Sequence, residues 1–300
     1  MSDSSASDTE SILACEECLA PAEAFAVVGN ETRLSILEAL WRCERPVSFS
    51  DLRREVGMRD SAQFNYHLSQ LTGQFVRKTD EGYDFRGAGE AVIRAVLSGT
   101  INQDPTLEPF PVEGSCVECD SGLEARYADE RISIACGECG RPHGGYGFPP
   151  GGLEDRTRAE VMDAFNQRAR HLSCLSADGV CPECNGRMET SLSTATELRG
   201  MDVRVDHECQ RCRNHIVSSV GLVLLDDAAI VAFYRDHDID LNTVPFWTLE
   251  WCIADSHTRV VDEDPWRIEL TVPVDDEALV LTLDGDLSVI GRERRERATA

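Results

Sequence analysis

Apolar positions recur at helical spacing through the first hundred residues. The segment PAEAFAVVG (Pro21 to Gly29) predicts a short helix with Phe25 and Val28 turned inward and Gly29 as its stop. Asn30 caps a second helix that carries Leu34, Leu37, Leu40 and Trp41 on one face, and RPVS breaks it. Ser48 caps a third, short helix with Phe49, Leu52 and Val56 apolar, ended by Gly57. Asp60 opens a fourth. Gln63 stands three residues on, at capping-box spacing, while Phe64, Leu68 and Leu71 repeat at i, i+4, i+7 and face the core. QFVRKTDEGYDFR then holds two β-like runs around an Asp-Glu-Gly turn, a hairpin pattern, and GAGEAVIRAVLSG closes with a fifth helix.

Beyond residue 100 the pattern changes. SGTINQDPTLEPFPVEG (98–114) is rich in Pro, Gly and polar residues and reads as a linker. LEDRTRAEVMDAFNQRARHLSC predicts a helix with Val161, Met162, Phe165 and Leu172 near one stripe. HIVSSVGLVLL predicts a strand, and DDAAIVAFYRDHDID a helix capped by Asp226 or Asp227. TVPFWTLEWCI gathers aromatics, with Phe246, Trp247 and Trp251 read as core rather than as a ligand pocket. RVV, WRIELTV, ALVLTL and LSVIG predict strands, the last two around an Asp284-Gly285 turn, and RERRERATA reads as a charged, frayed tail.

Charge changes what these elements are expected to do. The chain of 300 residues has 54 acidic and 29 basic residues and a net charge of -25, and Lys78 is its one lysine. An acid-rich, lysine-poor surface fits a salt-accumulating halophile, where about 1 M salt shortens the Debye length to ~3 Å and screens self-repulsion. Residues 21–100 are nearly neutral, with 11 acids and 10 bases, so the acidity lies elsewhere. No apolar run reaches the roughly 20 residues of a membrane span, and the acidic N-terminus lacks an apolar signal region. The expectation is a cytoplasmic protein without membrane contact.

Cysteine spacing is the strongest chemical signal. Five C-x-x-C pairs occur among 13 cysteines: Cys15/Cys18, Cys116/Cys119, Cys136/Cys139, Cys181/Cys184 and Cys209/Cys212. Each C-x-x-C turn offers two thiolates to one metal, and two turns complete a tetrahedral set. Cys116, Cys119, Cys136 and Cys139 form one expected site, and Cys181, Cys184, Cys209 and Cys212 the other. Each spans a strand–turn–strand gap, a zinc-ribbon layout, and two structural Zn²⁺ per chain are expected; iron would accept the same donors. CVECDSGLEARY and CPECNGRMETSL also repeat each other, including an Asp or Asn after the second Cys. His207, two residues before Cys209, is expected at the surface or behind the ligands. Cys15/Cys18 lack a partner pair, and with Cys43 could form a redox or metal sensor; Cys174 and Cys252 read as buried apolar residues.

Helix, turn around Gly57, helix, hairpin is the order of a winged helix-turn-helix. AFAVVGNETRLSILEAL, FSDLRREVG and SAQFNYHLSQL resemble the ArsR-type winged-helix transcriptional regulators, in particular the branch common in halophilic archaea. The resemblance covers about a quarter of the chain. It implies a homodimer that contacts itself through the first and last helices and reads two half-sites of double-stranded DNA. The fourth helix would present Ser61, Gln63, Asn65, Tyr66 and Ser69 to DNA, with Arg59, Arg77 and Lys78 as phosphate contacts. Metal-sensing members carry a Cys motif in the preceding helix; SFSDLRREVG has none. The expected fold class is α+β: an acidic, disordered leader (1–20), a winged helix-turn-helix (21–100), a linker (101–114), a first zinc ribbon with connecting helix (115–177), and a second zinc ribbon extended by an α+β unit (178–300). No catalytic constellation is evident, so a sequence-specific transcriptional regulator is expected rather than an enzyme. The alternative is a general factor of the archaeal transcription factor E type, which joins a winged helix to a zinc ribbon and contacts RNA polymerase.

Overall fold

The computed structural model describes residues 19–194 and 201–297 and divides the chain into two compact units that part between Leu97 and Ser98. The leader pair Cys15/Cys18 lies outside the described residues.

The first unit follows the helical periodicity. Its helices are α1 (Pro21–Val28), α2 (Glu31–Arg42), α3 (Phe49–Val56) and α4 (Ser61–Leu71); strands β1 (Val76–Lys78) and β2 (Tyr83–Phe85) come next, then α5 (Gly87–Leu97). The caps are formed by the residues whose side chains compete for backbone N–H groups. Asn30 accepts from Arg33 N–H at 3.2 Å, Ser48 from Asp51 N–H at 3.2 Å, and Asp60 from Ala62 and Gln63 N–H at 2.8 and 3.0 Å. Gly57 ends α3 in the left-handed conformation, φ 75°. Ile36, Leu37, Leu40, Leu52, Phe64, Leu68, Leu71 and Ile93 are fully buried together. The antiparallel pair β1–β2 is joined by Val47, which bridges Tyr83. Gly82 permits that approach: a Cβ there would stand 2.4 Å from the Val47 carbonyl oxygen, and its φ is +151°.

Three expectations in this unit need correcting. Phe25 does not turn inward: it is 75% exposed, and Val28 alone of α1 is buried. The buried stripe of α2 is Ile36, Leu37, Ala39 and Leu40, with Leu34 and Trp41 half-buried. Gln63 is held through its backbone N–H, and its side chain remains exposed.

The second unit is built on antiparallel meanders. Strands β3 (Leu107–Ser115), β4 (Gly122–Ala128), β5 (Arg131–Cys136) and β6 (Pro142–Gly147) form one sheet in chain order. Helix α6 (Arg158–Ala177) follows, opened by a capping box between Thr157 and Glu160. Strands β7 (Met188–Ser193), β8 (Arg204–Cys209) and β9 (His215–Ser218) form a three-stranded sheet. Short α7 (Val220–Val223), α8 (Ala228–Asp236, capped by Asp227) and α9 (Glu250–Ile253) lead to a last meander: β10 (Thr258–Glu263), β11 (Trp266–Val274), β12 (Glu277–Leu283) and β13 (Val289–Glu296). One core joins these layers. Leu123, Tyr127, Ile132 and Ile134 of the first sheet meet Phe165 of α6, Val205 of β8, Phe233 of α8, Trp247, Trp251 and the Ile268–Leu270–Val272 face of β11.

The residues read as linker include β3, where Phe110 is buried. Pro109 and Pro111 mask it as a strand, yet β3 is a sheet edge, where a missing N–H is tolerated. Likewise Arg292 to Glu296, read as frayed, belong to β13 and pair with β12 as far as Glu277↔Glu296. Charge on an edge strand blocks edge-to-edge pairing of copies without preventing the strand. HIVSSVGLVLL splits into β9 and α7 because Ser219 caps a new helix at Leu222 N–H. Helix α6 departs most: alongside Val161, Met162 and Phe165 it buries Asn166, Arg170, Ser173 and Ser176, while Leu172 is half-buried. Asn166 accepts from Phe246 N–H at 3.1 Å, and Arg170, fully buried, donates to the carbonyls of Leu241 and Val244 at 3.0 and 3.3 Å. This polar stripe satisfies a loop that would otherwise bury bare carbonyls.

Candidate metal centres and the exposed face of α4

Each C-x-x-C pair sits in a turn of the same construction. The first Cys N–H donates to the carbonyl five residues on: Cys116 to Ser121, Cys136 to Arg141, Cys181 to Gly186 and Cys209 to Asn214, at 2.8 to 2.9 Å. Its carbonyl accepts from the N–H four residues on, at Asp120, Gly140, Asn185 and Arg213, 2.8 to 3.1 Å. Those four residues all have positive φ: 59°, 70°, 56° and 62°. Asp, Asn and Gly enter this conformation readily, which is why an Asp or Asn follows the second Cys in the repeat; Arg213 adopts it without that help.

The turns pair within each ribbon. Cys116 Sγ lies 3.6 Å from Cys139 Sγ and Cys119 Sγ 3.5 Å from Cys136 Sγ; Cys181 and Cys212 are 3.6 Å apart, and Cys184 and Cys209 3.5 Å. In both groups all four sulfurs lie within 4.8 Å of one another. Four sulfurs at about 2.3 Å from a central Zn²⁺ stand ~3.8 Å apart, whereas a disulfide needs about 2.05 Å. All eight cysteines are free thiols, so the geometry fits a tetrahedral metal site and excludes a disulfide frame. Backbone N–H groups point at sulfur as well: Cys139 N–H to Cys136 Sγ at 3.4 Å, and Arg211 and Cys212 N–H to Cys209 Sγ at 3.4 Å each. The Ser121 backbone N–H brings the Cys119 thiol down to about 6, and those of Cys212 and Arg211 do the same for Cys209, also to about 6. Two metal ions per chain are therefore accommodated.

His207 belongs to neither group. It is buried on β8, not at the surface, with Nδ1 2.9 Å from Thr190 Oγ1, and burial lowers its pKa to about 4. Cys252 is buried and Cys174 half-buried; burial pushes the Cys174 thiol up to about 12. Cys43 is a half-buried thiol at the end of α2.

The first unit presents a different surface. With Phe64, Leu68 and Leu71 buried, α4 leaves Ser61, Gln63, Asn65, Tyr66 and Ser69 exposed, Tyr66 at 59%. The Ser69 hydroxyl donates to the Tyr66 carbonyl at 2.8 Å, which limits its reach outward. Arg59 and Lys78 are exposed. Arg77 is exposed too, but it donates to its cross-strand neighbour Asp84 at 2.5 Å and holds that carboxyl below its ordinary range. A carboxylate already on Arg77 competes with any phosphate for it. Among the described residues no helix is long and apolar enough to cross a membrane.

No curated protein and no solved structure matches the chain. Residues 21–96 match the family described as domain of unknown function DUF7347. Residues 113–289 match the one described as domain of unknown function DUF7351, which takes in both candidate metal centres and most of the last meander. With more than half of its length covered by that match, the chain belongs to the DUF7351 family.

Proposed function

We propose that this protein is a dimeric, sequence-specific DNA-binding transcriptional regulator of the winged-helix type resembling ArsR regulators, carrying two structural Zn²⁺ ribbons. One observation carries the reading: α4 is capped and packed on one face while its opposite face offers Ser61, Gln63, Asn65 and Tyr66 to the outside. Asn and Gln can bond an adenine edge bidentately, and Tyr reaches phosphate. The hairpin β1–β2 after α4 supplies the wing, with Lys78 as its unpaired-charge candidate now that Arg77 is shared with Asp84. Exposed Phe25 on α1 and Leu97 on α5, 75% and 49% accessible, supply apolar surface for a second copy.

The Zn²⁺ ions, held by Cys116, Cys119, Cys136 and Cys139 and by Cys181, Cys184, Cys209 and Cys212, would supply folding energy, since all four positions around each are taken by sulfur. The acidic composition fits a salt-accumulating cytoplasm, where counterion release would contribute little and direct polar contacts would carry more of the specificity.

Selection of genomic DNA fragments in molar KCl tests this. The expected result is one or a few palindromic sites whose footprint vanishes in Asn65→Ala or Tyr66→Ala with the fold intact. Footprints unchanged in both variants reject α4 as the reading helix. Polymerase co-purification without any preferred site would instead point to a general factor of the transcription factor E type.

A further inference from the structure

The second unit holds a half-open cavity of about 440 Å³, a volume within the range of small-molecule sites. It lies where the two ribbons turn their outermost strands toward each other. β6 ends the first sheet and β9 the second, and the two strands belong to separate sheets although both line the cavity. The positions correspond: counting from the second C-x-x-C of each ribbon, His143 matches Ile216 and Gly145 matches Ser218. Ala169 of α6, Leu222 of α7, Ile253 of α9 and Phe246 complete largely apolar walls.

Two buried polar side-chain atoms of lining residues have no protein partner. His143 is 1% exposed, and its Nε2 is buried without a hydrogen bond; Ser218 is 1% exposed, and its Oγ is buried without one. His143 Nδ1 lies 3.3 Å from the Trp247 carbonyl oxygen. A carbonyl can only accept, so Nδ1 carries the hydrogen. Burial lowers the His143 pKa, which keeps the ring neutral and leaves Nε2 as a bare acceptor. The Ser218 hydroxyl can donate or accept. The lining also holds Arg131, Ser133, Tyr146, Ser173 and Ser219, yet the unpartnered buried atoms in it are one fixed acceptor and one adaptable hydroxyl. Such a chamber is suited to orient a molecule, because buried polar groups in proteins are otherwise almost always paired.

We propose that the cavity between β6, β9 and α6 is a binding site for a small neutral ligand with an apolar body and a single O–H or N–H donor, which bonds His143 Nε2 with Ser218 Oγ as second partner. Phenol-like and indole-like molecules have this chemistry. The site is independent of the DNA-binding reading; it makes the ribbon unit a ligand-binding module whatever the first unit contacts. A ligand there would bridge the two ribbons, since its walls come from both.

The test uses a matched probe pair on the full, metal-loaded chain. 4-Fluorophenol and 4-fluorotoluene have nearly the same shape and differ in the O–H donor; fluorine NMR titration reads binding of each. The expected result is at least tenfold tighter binding of the phenol, reduced in Ser218→Ala, abolished as a preference in His143→Phe, with both probes weakened by Ala169→Leu, which narrows the chamber. Equal affinities for the two probes in the unaltered protein overturn the proposal, as does failure of both to bind at millimolar concentration. Phenol binding unchanged by both Ala169→Leu and Ser218→Ala places the probe elsewhere and overturns it as well. The comparison within the unaltered protein stands even if His143→Phe does not fold.

Discussion

Phe25 offers a direct test of self-association. It is 75% exposed on α1, in a unit whose other aromatic core residues are buried. A Phe side chain carries roughly 200 Å² of surface, so about 150 Å² of it faces outward here. If a second copy covers about half of that, apolar burial at about 25 cal/mol/Å² contributes ~2 kcal/mol per copy. A two-fold interface contains the residue twice, giving ~4 kcal/mol in all. Phe25→Ser should therefore weaken the dimer roughly a thousandfold. The monomer loses almost nothing, since an exposed substitution changes stability by about 0.5 kcal/mol or less. Sedimentation equilibrium in molar KCl over a wide concentration range measures the constant, and thermal melting of dilute protein measures the fold. An unchanged dissociation constant, or an unaltered protein that stays monomeric throughout, refutes the reasoning.

Metal analysis should return two Zn²⁺ per chain, falling to one in Cys116→Ser and in Cys181→Ser, because the two sulfur groups share no ligand; loss of both ions in either variant would contradict separate sites. Arg170→Ala should destabilise the second unit by about 3–5 kcal/mol, since it strips its donor from the Leu241 carbonyl, leaves the Val244 carbonyl to Asn166 alone, and removes the guanidinium 3.6 Å from Asp226. A melting temperature within a degree or two of the unaltered protein would count against that clamp. Gly221→Ala places a Cβ 2.1 Å from the Trp251 carbonyl oxygen, so α7 must move away from α9 at a cost of at least about 1–3 kcal/mol, visible in denaturant unfolding.

The parts that were legible in the sequence are those governed by local rules. Asn30, Ser48, Asp60 and Asp227 cap because their side chains reach nearby N–H groups, and no distant contact is needed. The C-x-x-C pairs announce their turns for the same reason, and the Asp or Asn after them marks the left-handed residue. What escaped depends on distant partners. Periodicity alone cannot tell that Phe25 lacks a covering layer, since an apolar residue looks the same with or without one. Pro109 and Pro111 argue against a strand until β3 is known to be an edge. Arg170 and Asn166 look like solvent-facing residues of α6; their partners lie more than 70 residues away, at Leu241 to Phe246. The cavity was invisible because its polar residues, His143 and Ser218, come from different ribbons.

The sulfur groups also bear on the electrical state of the molecule. With Cys119 and Cys209 lowered to about 6, each empty site carries about one negative charge near neutral pH, whereas four thiolates around one divalent ion leave two. Metal loading therefore releases protons and makes an already acidic unit more negative. The N–H groups aimed at Cys136 and Cys209 spread that charge into the backbone of the turns. In dilute buffer the added repulsion would oppose filling of the second site after the first, and in concentrated salt it would be screened. Metal affinity in this chain should thus rise with ionic strength, the reverse of its expected affinity for DNA.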